Sequence, residues 1–523
     1  MLKCSMNYFG TAIATTIVLL AASCTREPDR TAEQTAAAVV ISNVTIVDGT
    51  GIAPFRGAVR IRGSRIERIG EIDALPGESV VDGHGMVIAP GFIDSHSHVD
   101  GDILSHTAAL AAVSQGITTV VVGQDGGSPF PLAGFFADLG RNPAAINIAA
   151  YAGHNTIRRQ IMGEDFRRPA TAEEIATMQN LLRQELASGA LGLSTGLEYD
   201  PGIYSDPQEV LALAQVAADA GTRYISHVRS EDRWFEDAIA EIINIGRVTG
   251  MPVQISHIKL AMKRLWGQAP AIIETLNAAR DEGIDITADI YPYEYWQSDL
   301  MVLLPERDFT DREAVAFALE QIAPPDGLWM TQFDPQPEYV GRTLSEIAAA
   351  RGVDAVTAFM QLAAESAAME RQTGKPANSI IGTSMIEDDI RQLLAWPETN
   401  VCTDGGLIDL HPRSHGAFTR VLARYVREEN LLSLEQAVHK MTGLTARHMG
   451  FADRGILREG AVADLVLFDP AAVGDRATAQ QPDLLSNGVI AVWVGGQQVY
   501  GDGTVGNARP GQIIRSTSTT AKE

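Results

Sequence analysis

The sequence predicts an α/β protein: a (β/α)8 TIM barrel with a small β-sandwich domain assembled from both chain ends. Three observations predict it. Apolar β runs alternate with helical stretches through residues 88–450, the pattern of a parallel barrel. Short period-two strands with tight turns fill 38–87 and return over 451–515, so one β domain draws on both ends. The 523-residue chain also holds 48 glycines, which suits many strand-to-helix turns.

Taken in order, residues 1–24 read as an export signal. Lys3 gives a positive start, an apolar run extends from Phe9 to Ala22, and the segment ends Leu19-Leu20-Ala21-Ala22-Ser23-Cys24. The run is short for a bilayer span. Small residues ahead of a cysteine resemble a bacterial lipobox, which predicts a lipid on Cys24 and a place on the periplasmic side of a bacterial membrane. Ordinary cleavage after Ala22 or Ser23 is the alternative. Residues 25–37 are polar and Ala-rich without a period, as in a flexible tether, and 516–523 read as a tail. In the β domain, Val39-Val40-Ile41 and Val44-Thr45-Ile46-Val47 are separated by Ser-Asn, and 59–62 and 66–69 flank a Gly-Ser turn. At the far end, 463–468, 488–494 and 497–500 have the same texture. Barrel strands are predicted at 118–122, 145–150, 192–194, 223–227, 253–257 and 284–290, with helices such as 172–188 and 207–220.

Composition excludes some classes. Hydrophobic residues make up 45% and charged residues 20%, an ordinary globular balance, but the net charge is −24. An acidic surface argues against nucleic acid and anionic membrane as partners. It says little about a small-molecule amide substrate, because a pocket can be locally basic; membrane association would come only through Cys24, and the oligomeric state stays open. The three cysteines are Cys4, Cys24 and Cys402. Two lie in the leader, so no disulfide scaffold is possible.

The chemistry starts at His96-Ser97-His98, which follows the apolar run Val87–Asp94. Residues two apart on a strand face one side, so both imidazoles address one site at the strand's C-terminal end, where barrel chemistry sits. Tyr224-Ile225-Ser226-His227 and Gln254-Ile255-Ser256-His257 each end a strand on histidine, and Thr403-Asp404-Gly405-Gly406 ends a late one. The chain has only eleven histidines. Four of them at strand ends, with a late aspartate, predict a divalent-metal site.

These residues carry a resemblance. The local stretches are Ala89-Pro-Gly-Phe-Ile-Asp-Ser-His-Ser-His98, Gly189-Ala-Leu-Gly-Leu-Ser-Thr-Gly-Leu-Glu-Tyr199, Ser226-His-Val-Arg-Ser-Glu231, Ile255-Ser-His-Ile-Lys259 and Asp289-Ile-Tyr-Pro-Tyr293. Later come His411-Pro-Arg413, Lys440-Met-Thr442 and Ala463-Asp464. In that order they resemble the amidohydrolase superfamily, and within it the N-acyl-D-amino-acid deacylases (D-aminoacylases), over about 38–515. The resemblance implies an amide hydrolase using one or two divalent metals, Zn2+ foremost. His96, His98 and Asp404 would address one metal position, and His227 and His257 the other. Asp404 would take a proton from the attacking water and deliver it to the leaving amine. Lys259 and Tyr199 resemble positions that handle the substrate's carboxylate or carbonyl, with Tyr291 and Tyr293 as further candidates.

Two departures from the family pattern bear on specificity. Where the deacylases usually carry a metal-touching cysteine after Gly-Asn, this chain reads Val122-Gly123-Gln124-Asp125-Gly126-Gly127-Ser128. Asp125 takes that place, and a carboxylate can bridge two hard metals. After Tyr293 the chain runs Glu294-Tyr295-Trp296-Gln297-Ser298-Asp299, where the family usually has small residues and then an arginine for the α-carboxylate. Arg307 is the next arginine here. Cys402, two residues before Asp404, reads as a buried strand cysteine. A dipeptidase or cyclic-imide hydrolase on the same scaffold, or a non-catalytic lipid-anchored binding protein, are the alternatives.

Overall fold

The computed structural model describes residues 38–516. The predicted leader, the lipobox at Cys24, the tether and the last seven residues lie outside this range. Eight parallel strands form the barrel: Phe92–Asp94, Ile117–Val122, Asn147–Ala150, Gly192–Gly196, Arg223–His227, Val253–Ile255, Ile286–Ile290 and Thr399–Val401. Ladders run from first to third and from fourth to eighth strand. The short pair Ala152–Gly153 continues the third strand onto the fourth. Closure between eighth and first comes from irregular backbone. Asp404 N donates to the His96 carbonyl at 2.9 Å and His98 N to Gly405 at 3.0 Å.

Helices cover the outside, and their starts follow the sequence. Ala172–Ala187 begins at a capping box, with Thr171 accepting from the Glu174 amide, a reciprocal arrangement that satisfies two orphan amides. Pro207–Asp219 begins at Asp206, with proline in its first turn, where its missing amide costs nothing. No helix among the described residues is long and apolar enough to cross a membrane.

The β domain is a nine-stranded sheet drawing on Ala38–Pro90 and on Leu465–Val505. Val87–Pro90 pairs antiparallel with Leu465–Phe468, which joins the two ends. Ile46, Val59, Ile61, Ile88, Leu465, Leu467 and Trp493 share one buried cluster. The two short strands expected around Ser42-Asn43 are a single strand, Ala38–Ile46, whose register shifts between Ile41 and Val44. Asn43 sits there at φ 53, so the Ser-Asn pair marks a bulge rather than a break.

The run 87–94 also divides differently from its apolar pattern. Val87–Pro90 belongs to the β domain and Phe92–Asp94 to the barrel. Gly91 is the hand-over, where an added Cβ would lie 2.2 Å from the Thr118 methyl. His96 and His98 therefore lie past the strand end, and period two does not govern them. An insertion between the seventh and eighth strands forms a three-stranded antiparallel sheet, Tyr295–Ser298, Asn378–Thr383 and Leu328–Phe333. Trp296 is mostly buried there, its indole donating to Ser384 Oγ at 2.6 Å.

Candidate active site

The barrel's C-terminal ends converge on one cluster. His96, Asp125, His257 and Asp404 each offer a ligand atom, all within 4.8 Å of one another. His96 Nε2 is 3.4 Å from Asp125 Oδ1 and 3.4 Å from Asp404 Oδ1. His257 Nε2 is 3.3 Å from Asp125 Oδ1. His98, the most exposed of the group, reaches Asp404 at 3.1 Å and Asp125 at 3.3 Å. His227 Nδ1 faces His257 Nε2 at 3.1 Å, while its Nε2 meets Glu198 at 2.9 Å. His257, His227 and Glu231 form a second candidate group. Thus His257 faces both groups, where the resemblance assigned it to one.

The donor set fits a cation. Both ring nitrogens of His96 and Asp125 Oδ1 are buried without a hydrogen-bond partner. Buried polar atoms are nearly always paired, so the orphaned His96 Nε2 and Asp125 Oδ1, 3.4 Å apart, call for an explanation. Imidazole and carboxylate in a tetrahedral-sized cluster are ligands for zinc-like ions. Electrostatics agree. Burial pushes the Asp125 carboxyl up, but His96 and His257 outweigh it and hold it well below the usual range. Burial and Lys259 oppose protonation of His257, yet Asp404, Asp125 and Glu231 push it up to about 10. His98 is likewise raised against its burial by Asp125 and Asp404. Without a cation, the excess carboxylate charge is balanced by protons on histidines.

Backbone geometry sets these directions. Asp125, His257 and Asp404 have φ of 52, 33 and 50. Aspartate and histidine are among the few non-glycine residues that enter this region. The sixth strand consequently stops at Ile255, short of the expected 257. The His257 amide is held by Asp289 Oδ1 at 2.6 Å. The Asp125 carbonyl lies against Gly196, where a Cβ would approach to 2.0 Å, so only glycine fits there. Asp94 accepts from the Thr403 and His96 amides, tying first and eighth strands together under the site. Burial pushes Asp94 up to about 7.

Beside the cluster lies a pocket whose lining includes Tyr199, Lys259, Tyr291, Trp296 and Arg413. Lys259 Nζ contacts Glu231 at 2.5 Å and His257 Nδ1 at 2.7 Å. The Tyr291 hydroxyl is buried without a partner. Tyr199 packs its ring 4.3 Å from that of His227. Tyr293 does not line this pocket: its hydroxyl bonds the Pro412 carbonyl at 3.4 Å, its ring lies under Arg420, and it borders a small adjoining cavity with His257, Lys259 and Tyr291.

Three residues were missed as site members although their motifs were noted. Arg413 bonds Asp404 Oδ2 at 2.5 Å, and Glu231 and Glu198 anchor Lys259 and His227. The triplet His411-Pro-Arg413 was the available signal for the first. Arg307 is not in the pocket: it bonds the Glu198, Met301 and Leu304 carbonyls and pairs with Asp200. Cys402 is a fully buried thiol, as expected of a strand cysteine, and belongs to neither group of candidate ligands.

Fold and site together define a metal-dependent hydrolase on a TIM barrel. The model of the amidohydrolase family matches residues 79–500, and the chain belongs to that family. It is 39% identical to N-acyl-D-glutamate deacylase of Alcaligenes xylosoxydans xylosoxydans, covering 92% of this chain and 97% of that one. It is 34% identical to D-aminoacylase of the same organism, covering 92% and 98%. Among solved structures, N-acyl-D-glutamate deacylase from Bordetella bronchiseptica, complexed with zinc and a phosphonate mimic of the tetrahedral intermediate, superposes with a TM-score of 0.82. It is 37% identical, with 92% of this chain and all of that chain covered.

Proposed function

We propose that the protein hydrolyses N-acyl-D-amino acids to a carboxylate and a free D-amino acid. One observation carries this reading: a buried cluster of metal-type ligands shares a pocket with Lys259 and Arg413, two cations suited to a substrate carboxylate. The deacylase relatives support it.

His96, His98, Asp125, His257 and Asp404 would hold the divalent cation, zinc first, with His227 and Glu231 completing a second position through His257. When bound, such an ion acidifies water toward a pKa of ~7 and polarises the carbonyl. Arg413, set against Asp404 Oδ2, keeps the carboxylate ionised, because its attraction and that of the neighbouring histidines outweigh burial. Oδ1 then faces the cluster, placed to accept the water's proton and pass it to the leaving nitrogen. Lys259, whose ammonium Glu231 keeps charged against burial, receives the α-carboxylate together with Arg413, and the unpartnered Tyr291 hydroxyl lies in the same pocket. With Arg307 committed to backbone carbonyls, that task falls to Lys259 and Arg413.

The test is turnover of N-acetyl-D-amino acids and their L counterparts, with metal measured on the same sample. Hydrolysis confined to the D series supports the reading. Turnover of only L compounds would overturn it. Export and lipid attachment at Cys24 are proposed from the leader residues alone. Cys24→Ser should release the protein from membranes, and continued membrane association would sink the anchor.

A further inference from the structure

The space around the ligand cluster has two chambers. The inner one is about 40 Å³ and the outer about 810 Å³. They meet at a neck that both share: Tyr199, Gln297, Asp404 and Arg413. Of these two chambers, His227, His257 and Lys259 line the inner one and His98 and Asp125 the outer one. A scissile amide at the cluster therefore lies across the neck, with one substituent on each side.

The two sides differ in chemistry. The inner chamber is lined by Trp296, Val302, Leu303 and Ile322 together with Lys259 and the carboxylates Glu198, Glu231 and Asp232, with Arg413 at the neck. Lys259 and Arg413 suit an α-carboxylate, and the apolar residues beside those three carboxylates suit a compact, uncharged side chain. The outer cleft is polar, bordered by Asp100, Ser128, Thr156, Ser379 and Asp409, with the bare backbone of Gly101 and Gly127. Its hydroxyl, amide and carboxylate side chains offer hydrogen bonds along an extended chain. Its volume is far beyond what an acetyl group occupies.

Resting on the deacylase reading, we propose that the outer cleft is an acyl-side subsite for an extended polar chain, a peptidyl group, joined to a compact uncharged D residue in the inner chamber. The bond change is the same as for a simple acyl group. The amide C–N bond breaks, hydroxide from water goes to the carbonyl carbon, and the water's proton goes to the amine of the released D-amino acid. The peptide leaves as a carboxylate from the wide side.

The experiment compares kcat/KM for N-acetyl-D-alanine, triglycyl-D-alanine and N-decanoyl-D-alanine using zinc-loaded protein. We expect triglycyl-D-alanine to match or exceed the acetyl compound, and the decanoyl compound to fall at least about tenfold below the triglycyl one. Gly101→Trp tests the location, because a Cβ added at Gly101 meets nothing within 4 Å. The triglycyl-to-acetyl ratio should fall at least about tenfold in that variant and stay at the wild-type value in Gly101→Ala. Gly127→Trp, whose added Cβ is only in ordinary contact at 3.5 Å, is a second plug with the same expected effect. An acetyl compound hydrolysed while the triglycyl one is not overturns the inference and leaves the deacylase reading standing. So does a ratio unmoved by both tryptophans in folded protein. Absence of turnover for every N-acyl-D compound overturns both.

Discussion

The two ends of the barrel handle charge in opposite ways. At the C-terminal mouth, His96 is buried with both nitrogens unpartnered, and three of the nine positive-φ non-glycine residues among those described are site members. At the N-terminal base, charged groups are taken up by one another and by backbone carbonyls. Glu398 pairs with Arg280 at 3.3 Å and Arg447 at 3.2 Å. Lys440 donates to the Trp396 and Thr399 carbonyls, and Arg223 to the His448 carbonyl. Left-handed backbone costs on the order of 1–3 kcal/mol per residue. The molecule tolerates that cost at the mouth because those turns aim ligands. The base, with ion pairs and backbone bonds, serves stability.

Substitutions can break this contrast. The largest effect is expected from Asp404→Asn, which keeps the left-handed turn but cannot accept the proton. Its kcat should fall by on the order of 10³-fold with the circular dichroism spectrum unchanged, and near-wild-type turnover would remove Asp404 from proton transfer. Next comes Asp125→Ala. Loss of this ligand should lower bound metal and rate by on the order of 10²-fold, since even outer partners of metal ligands supply 10–100-fold. Full metal content at full rate would show that Asp125 is only a turn residue.

A pH experiment sharpens the electrostatic side. With His257 held at about 10 and His98 above its usual range, cation uptake must displace protons. Apparent affinity for zinc should therefore rise with pH across the neutral range. Calorimetry in buffers of different ionisation enthalpy should register proton release, and a buffer-independent heat would contradict it. The smallest effect belongs to the base. His448, Arg280 and Arg447 hold Glu398 down to about 2 against its burial. Its contribution to stability is complete above its unfolded value of 4.5 and is lost as pH falls through about 2. Glu398→Gln should cost about 1–2 kcal/mol at neutral pH, with the deficit shrinking in acid and metal content untouched. An equal deficit at low pH would mean that the loss is one of packing.

Much of the fold could be read from the sequence because β runs, helix caps and chain-end strands are local signals. The helix starts at Ala172 and Pro207 and the strand Arg223–His227 lie where the pattern puts them. What escaped was set by long-range contacts. His257 and Asp404 were read as strand ends, but each turns into left-handed backbone under restraint from Asp289 and His96. Arg413 is legible in the sequence only as part of the His411-Pro-Arg413 triplet, since nothing local says that it folds back nine residues onto Asp404. Conversely, Arg307 is the next arginine along the chain, and only the tertiary structure shows its guanidinium occupied by carbonyls and Asp200.

The seam between the chain's two ends has a consequence for how the protein is made. Val87–Pro90 must wait for Leu465–Phe468 before its edge is covered. At roughly 5–20 residues per second of synthesis, the intervening stretch of nearly four hundred residues takes on the order of 20–80 s to emerge. For that interval the nascent amino-terminal sheet presents an unpaired strand edge, the template on which chains mispair. A holdase or rapid handling of the unfinished chain is thus a requirement of the topology, and overproduction should fail first by aggregation of incomplete chains.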